Sequence, residues 1–165
     1  DICKNNGTKI VQVPEGLICL NMLNLYEIDG IITEPAGALA VSAFDFIKDE
    51  IKNKTVVAVI SGGNNDILRY PEIQERADRF LNHQHYFLIK LLQSPGSLHS
   101  FLTKILSQDD DITRFEYLKN TNKAQGMILV GIYSRNIHTV LQKLSLHNYT
   151  FSYINDKEEF MEYLI

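Results

Sequence analysis

The sequence predicts a chain in two parts: an α/β segment over residues 1–82 and an α+β domain over residues 83–165. First, short apolar runs rich in β-branched residues alternate with amphipathic helical patterns as far as residue 82. That alternation is typical of a parallel sheet covered by helices. Second, the remaining residues follow the order β-α-β-β-α-β. This is the split βαβ arrangement, an antiparallel four-stranded sheet with both helices on one face.

The elements of the front segment are predicted from hydrophobic spacing and from the residues that begin and end each run. In chain order we expect a strand over 9–13, a helix over 15–28, a strand over 31–33, a helix over 35–52, a strand over 55–60 and a helix over 71–82. Three strands are too few for a complete doubly wound domain. We therefore expect this segment to be the C-terminal part of such a domain.

The second half is predicted in the same way. In chain order we expect a strand over 86–92, a helix over 98–106, strands over 111–119 and 126–134, a helix over 137–144, a strand over 149–154 and a terminal helix over 157–164. The second of these strands alternates, with Phe115 and Tyr117 on one face and Arg114 and Glu116 on the other. Asn120 to Asn122 is expected to turn the chain before the third strand.

Composition excludes several classes of function. The net charge is −4 and no cluster of lysine and arginine is present, so we expect no binding to nucleic acid. No apolar run approaches the ~20 residues of a membrane span.

The two cysteines, Cys3 and Cys19, do not have the spacing of a cysteine pair, which is typical of reduced thiols in a cytoplasmic protein. The chain begins at Asp1 without methionine, and we expect it to be a piece of something longer.

Polar residues follow two of the predicted front strands. Ser61, Gly62 and Gly63 end the strand over 55–60, and Glu34 follows the preceding strand. The carboxyl ends of parallel strands share one sheet edge, where ligands bind in open α/β sheets. A solvent-exposed glycine turn explains the first group equally well, and a carboxylate at a helix start explains Glu34.

The corner between the first strand and first helix of the second half contains Pro95 and Gly96. A helix that begins there leaves free N–H groups, which can bind an anionic group such as a carboxylate. A plain tight turn is an equal explanation. No metal is expected, because His83 and His85 have no third ligand at suitable spacing. The aspartates at 109–111 lack the spacing of a calcium loop and are interpreted as a solvated turn.

Seven stretches together resemble one known family, biosynthetic threonine dehydratase (threonine ammonia-lyase) in its short bacterial form. They are 34–41 (EPAGALAV), 61–66 (SGGNND), 69–76 (RYPEIQER), 85–87 (HYF), 94–98 (SPGSL), 110–117 (DDITRFEY) and 129–132 (LVGI). The resemblance extends over essentially the whole chain. It implies that residues 1–82 are the C-terminal piece of a fold-type II pyridoxal phosphate domain. Residues 83–165 would be an ACT-like regulatory domain with the ferredoxin-like fold.

The resemblance also implies roles for residues of the front segment. Ser61 would face the pyridine nitrogen of pyridoxal 5'-phosphate, Gly62 and Gly63 would let the backbone pass close to the ring, and Glu34 would lie near the cofactor. The family's Schiff-base lysine and its glycine-rich phosphate cup have no counterpart in this sequence. We therefore expect no catalytic residue in this chain and no lyase activity from it alone.

For the second half, the resemblance implies L-isoleucine as an inhibiting effector and L-valine as an opposing activator. Their carboxylate is expected at the corner formed by Pro95, Gly96, Ser97 and Leu98. A homo-oligomer, dimer or tetramer, is expected as well. The alternative is a stand-alone amino-acid-sensing module without a lyase role, and a ligand-free interaction domain is a third hypothesis. The polar motifs of the front segment favour the enzyme, since a free-standing sensor does not need them.

Overall fold

The computed structural model describes residues 6, 8–117, 123–157 and 164. The chain divides into two compact units, Asp1–Phe80 and Leu81–Ile165. Among the described residues no helix is long and apolar enough to cross a membrane.

The front unit is helical. Its helices are α1 (Glu15–Asp29), α2 (Pro35–Ser42), α3 (Lys48–Ile51) and α4 (Tyr70–Phe80), with 3₁₀ turns at Ala43–Phe46 and Ile67–Arg69. A small apolar core joins α1, α2 and α4, and it consists of Ile18, Cys19, Met22, Leu23, Leu25, Ala38, Ile73 and Ala77. At the crossing of α1 and α4, a Cβ atom at Gly16 would lie 3.0 Å from the Arg76 carbonyl oxygen. The absence of a side chain there lets the two helices approach closely.

The helix predicted over 35–52 is interrupted, and α2 ends at Ser42. The Ser42 hydroxyl donates to the Ala38 carbonyl oxygen (2.8 Å) and accepts from Asn21 Nδ2 (3.1 Å). A serine that bonds back to residue i−4 competes with the helical ladder and bends the helix. The chain then passes through a 3₁₀ turn, and Ile47 leaves helical geometry with φ −124° and ψ 18°. Local hydrogen bonding thus overrides the amphipathic spacing.

The parallel sheet predicted for the front unit is wrong. Residues 9–13, 31–33 and 55–60 form no strand within the described part of the chain. Their apolar side chains are largely exposed, with Val57 at 83% and Val59 at 67%. A strand requires a partner for its N–H and C=O groups, and β-propensity mainly reflects packing against such partners. Within the described residues no other strand lies beside these runs, so they do not pair into a sheet.

The second unit contains the predicted split βαβ arrangement. Its elements are β1 (Gln84–Leu92), α5 (Ser97–Ile105), β2 (Asp111–Tyr117), β3 (Gln125–Tyr133), α6 (Ile137–Leu146) and β4 (Thr150–Tyr153). The sheet order is β2-β3-β1-β4, and every neighbouring pair is antiparallel. The predicted four-stranded antiparallel sheet is confirmed. The predicted turn at 120–122 lies outside the described residues, as does most of the predicted terminal helix.

Alternate residues of the two central strands form the core with both helices. The buried members are Phe87, Ile89 and Leu91 of β1, Ile128, Val130 and Ile132 of β3, Phe101 and Ile105 of α5, and Ile137, Val140 and Leu144 of α6. The strand residues follow the period of two that places side chains on one face. The helix residues follow the i, i+3 and i+4 spacing of an apolar stripe. Both helices therefore cover the same face of the sheet.

A β-bulge in β2 adjusts the register of this edge strand. Ile112 pairs with Ile132, whereas Arg114 pairs with Gly131, which leaves Thr113 as the extra residue. Two residues of β2 then oppose one of β3, and the strand alternation shifts by one position. As a result Ile112 lies opposite Ile132, a core residue of β3.

Asn155 continues the pairing of β4 beyond the strand's last residue. Its Oδ1 accepts a hydrogen bond from the Tyr86 N–H (2.6 Å), and its Nδ2 donates to the Gln84 carbonyl oxygen (2.7 Å). The side-chain amide thus takes the place of a backbone peptide group against β1. These bonds satisfy N–H and C=O groups of β1 that the four-residue strand does not reach.

Candidate functional site

A pocket of about 430 Å³ lies at the corner between β1 and α5. All four residues predicted to bind an effector, Pro95, Gly96, Ser97 and Leu98, line it. Its apolar side chains are those of Leu91, Leu92, Leu98, Leu102 and Tyr117. The pocket therefore combines a strand–helix corner with an apolar lining.

The corner presents the N-terminal end of α5. Gly96, with φ +82°, is the N-cap residue, and no side chain caps the helix. The Ser97 N–H donates to the Ser94 carbonyl oxygen (3.2 Å), and Ser100 N–H donates to Gly96 (2.8 Å). Within the described residues, the N–H groups of Leu98 and His99 have no backbone acceptor. Such free donors, together with the positive end of the helix dipole, favour an anion.

Gln93 and Tyr117 are among the lining residues that were not predicted from the sequence. Gln93 follows β1 directly, and Tyr117 ends β2, which is separated from β1 by β3. A Cβ atom at Gly126 of β3 would lie 3.3 Å from both Gln93 Cδ and Tyr117 Cε2. The missing side chain at 126 leaves room for these two groups. Only the sheet order reveals this neighbourhood, because no local pattern links residues 93, 117 and 126.

A larger and more polar cavity, of about 590 Å³, lies at the corner between β3 and α6. Its lining residues are Ser107, Asp109, Asp110, Tyr133, Arg135, Asn136 and Thr139. Asp110 belongs to a turn, since its Oδ2 accepts from the Ser107 N–H (2.8 Å). The described residues contain no group of three or more metal-ligating side chains.

The structure brings the two polar motifs of the front unit together. The Thr33 hydroxyl donates to the Gly62 carbonyl oxygen (2.9 Å), and the Glu34 N–H donates to the same oxygen (3.1 Å). A Cβ atom at Gly37 would overlap both the Thr33 hydroxyl and the Gly62 carbonyl oxygen. A Cβ atom at Gly63 would lie 2.9 Å from the Ile32 carbonyl oxygen. These glycines allow two chain segments to pass in direct contact.

The Glu34 side chain lies within this cluster and does not cap a helix. Glu34 is the N-cap residue of α2, but its carboxylate makes no capping hydrogen bond. It lies instead against the Cα of Gly62, where an added Cβ would overlap Oε1. Ser61 is exposed, and the nearby Asn65 Nδ2 is buried without a hydrogen-bond partner in the described chain. The cluster therefore offers a carboxylate, a hydroxyl and an unused amide donor.

The antiparallel sheet with two helices on one face and a pocket at a strand–helix corner has the architecture of a ferredoxin-like regulatory domain. Residues 75–164 match the family described as the C-terminal regulatory domain of threonine dehydratase. The chain belongs to this family.

Known relatives extend the similarity to the front unit. The chain is 46% identical to the biosynthetic L-threonine dehydratase IlvA of Halalkalibacterium halodurans over 168 residues, covering 100% of this chain and 40% of that protein. It is 43% identical to the IlvA of Staphylococcus aureus strain NCTC 8325, with the same coverage. Against the IlvA of Staphylococcus epidermidis strain RP62A it is 44% identical over 142 residues, which are 86% of this chain and 34% of that protein. The chain spans about 40% of the length of the first two relatives.

Proposed function

We propose that this chain is the C-terminal part of a threonine dehydratase, and that its sheet domain binds a branched-chain amino acid. The enzyme converts L-threonine to 2-oxobutanoate and ammonia at the start of isoleucine biosynthesis. L-isoleucine is the proposed inhibitor and L-valine the opposing activator. Allostery then requires that the effector bind two states of the enzyme with different affinities.

The pocket at the corner of β1 and α5 carries the proposal. Its volume of about 430 Å³ lies within the range of small-molecule sites. The uncapped N-terminus of α5 would take the effector's carboxylate. Leu91, Leu98 and Leu102 supply an apolar wall for a branched aliphatic side chain. A polar amino acid would gain nothing from that wall, so we expect threonine to bind weakly.

The cluster around Glu34 and Gly62 in the front unit would contribute to a pyridoxal 5'-phosphate site in the longer enzyme. The Glu34 carboxylate lies against Gly62, the Ser61 hydroxyl is exposed next to it, and the buried Asn65 Nδ2 has no hydrogen-bond partner in the described chain, so these residues offer polar groups that suit a polar aromatic ring. The Ser61 hydroxyl would hydrogen-bond the ring nitrogen, and Glu34 would lie beside it. The bound cofactor supplies an electron-withdrawing ring that stabilises negative charge at the substrate's α-carbon.

This cluster supplies neither a lysine to hold the cofactor nor several converging N–H donors for its phosphate. We therefore expect no 2-oxobutanoate from this chain when L-threonine and the cofactor are added.

We further propose that the protein is cytoplasmic and that it forms a homo-oligomer. The oligomer is proposed because β2 is an edge strand, whose outer polar groups can pair with another copy.

Calorimetric titration of the 165-residue chain with L-isoleucine, L-valine and L-threonine tests the effector site. We expect saturable binding of isoleucine or valine and much weaker binding of threonine. Leu98→Asp should abolish this binding, because it places a carboxylate in the apolar pocket beside the ligand's own carboxylate. Gly96→Val should do the same, since φ +82° disfavours a β-branched residue.

Leu146→Asp is the matched control. Leu146 is 75% exposed on α6, so the same substitution there should leave binding unchanged. Unaltered isoleucine binding by Leu98→Asp would refute the assignment of the pocket.

A further inference from the structure

We propose that protonated His99 binds the effector's carboxylate in the pocket at the corner of β1 and α5, so that the protein binds its effector more tightly as the pH falls. The inference rests on the proposed effector site. It adds a charged side chain that recognises the ligand's anionic end, and it makes the regulation of that site dependent on pH.

His99 lies beside the free donors at the start of α5. It is the third residue of this helix, and it lines the pocket. Its own N–H and that of Leu98 have no backbone acceptor within the described residues. The Cα–Cβ bond of a helical residue is tilted toward the helix N-terminus, so the imidazole extends toward the end at which these donors would hold a carboxylate. The side chain is exposed and is therefore accessible to a ligand that enters from solvent.

His99 is also the one residue of the described lining whose type changes its charge between pH 5 and 8. The other lining residues are aliphatic residues, serines, a proline, a glycine, Gln93 and Tyr117, which carry no charge in that range. No aspartate or glutamate is among them. A protonated His99 therefore has no carboxylate of the described lining to pair with in place of the ligand's carboxylate.

The other charged or titratable groups near α5 lie outside this lining. The helix packs against β1 and α6. The groups in question are His85 and Lys90 of β1, Lys104 of α5, Lys123 before β3, His138 and Lys143 of α6, and His147 after it. None of them lines the pocket. Since a free α-amino acid stays a zwitterion between pH 5 and 8, we assign a change of affinity in this range to His99.

The size of the effect follows from the exposure of the site. Ion pairs at exposed positions contribute little, so we expect the Kd for L-isoleucine to be about two- to fivefold lower at pH 5.5 than at pH 8. Coupling between two binding events is reciprocal, and isoleucine must therefore favour protonation of His99 by the same factor. Binding at about pH 6.5 should consequently take up protons from the buffer.

Calorimetric titration of the 165-residue chain with L-isoleucine at pH 5.5 and pH 8 measures the two affinities. Titration at pH 6.5 in buffers of different ionisation enthalpy measures the proton uptake, and circular dichroism verifies that each protein is folded at each pH. His99→Gln should bind isoleucine equally at pH 5.5 and pH 8 and take up no protons. His99→Lys, which is charged throughout this range, should retain at pH 8 the affinity that the unmodified chain has at pH 5.5.

His138→Gln is the matched control, because His138 is exposed in the first turn of α6 and does not line the pocket. It should behave as the unmodified chain. The role of His99 is refuted, and the effector site stands, if the unmodified chain binds isoleucine equally at both pH values or if His99→Gln keeps the pH dependence. A His99→Lys variant that binds at pH 8 no better than His99→Gln would refute it as well. If the unmodified chain binds isoleucine at neither pH, the effector site is refuted and the role of His99 falls with it.

Discussion

His85 Nδ1 lies 2.9 Å from the Tyr153 hydroxyl in the interior of the sheet domain, where His85 has no exposed surface. On the opposite side of the ring, Nε2 lies 3.3 Å from the Ser134 carbonyl oxygen. Because a carbonyl only accepts, we assign the proton to Nε2, and Nδ1 then accepts from the Tyr153 hydroxyl. Both nitrogens of the neutral ring are satisfied, and burial lowers the pKa of His85.

The first prediction is that the free energy of unfolding falls as the pH falls below about 6.5, the ordinary pKa of histidine. Below that value the unfolded chain binds a proton that the folded chain does not, until the pH reaches the lowered pKa of folded His85. Urea unfolding at pH 5, 6, 7 and 8 measures this dependence. His85→Gln should flatten it over this range.

His138→Gln, at an exposed position of α6, is the matched control, and its stability should keep the pH dependence of the unmodified chain. A His85→Gln variant whose stability still falls as steeply between pH 7 and 5 would contradict the assignment. Carboxylates titrate in a lower range. The hydrogen bond from Arg69 lowers the pKa of Glu72, so its contribution is lost only as the pH falls below the ordinary glutamate value of about 4.3.

Two leucines of α6, two residues apart, provide a test of the core. Leu144 is fully buried against the sheet and Leu146 is 75% exposed. Leu144→Ala should destabilise the domain by about 2–5 kcal/mol, because it leaves a cavity in the core. Leu146→Ala should change stability by no more than about 0.5 kcal/mol. Urea unfolding measures both, and equal costs would mean that α6 does not pack as described.

The packing of the front unit can be tested at Gly37 and Gly62, where an added Cβ atom would overlap neighbouring atoms. Gly37→Ala should destabilise this unit by about 1–3 kcal/mol, because the new methyl group meets the backbone oxygen of Gly62 and the buried Thr33 side chain. Gly62→Ala should cost less, since the methyl group meets only the Glu34 side chain, which can rotate away. Hydrogen exchange of the α1 and α2 amides would report the difference. If Gly62→Ala destabilised the unit more than Gly37→Ala, the prediction that the contact around Gly37 is the more rigid one would be wrong.

The elements of the sheet domain could be predicted from local sequence because each carries its own periodic signal. The helix predicted over 98–106 is α5 at 97–105, and the strand predicted over 86–92 is contained in β1. Prediction failed in the front unit, where Val56, Val57 and Val59 have the composition of a buried strand yet remain exposed. The composition of a run shows which side chains a strand would bury there. Whether the strand forms depends on a neighbouring strand that is distant in sequence.

The same distinction applies to the candidate site. Pro95 to Leu98 could be predicted because proline and glycine mark a helix start in the sequence itself. Gln93 could not, since it belongs to no motif, and Tyr117 could not, because nothing in the stretch over 110–117 indicates that its last residue lies beside this corner.

The sequence by itself determined the order of elements in the second half, the corner at Gly96 and the resemblance to threonine dehydratase, because propensity, spacing and motif are local properties. Only the tertiary structure decided which strands pair, where α2 ends, and that Gly126 opens a space for Gln93 and Tyr117. Those features depend on contacts between residues far apart in the chain, and hydrogen-bond partners and excluded volume select them only once the chain has folded.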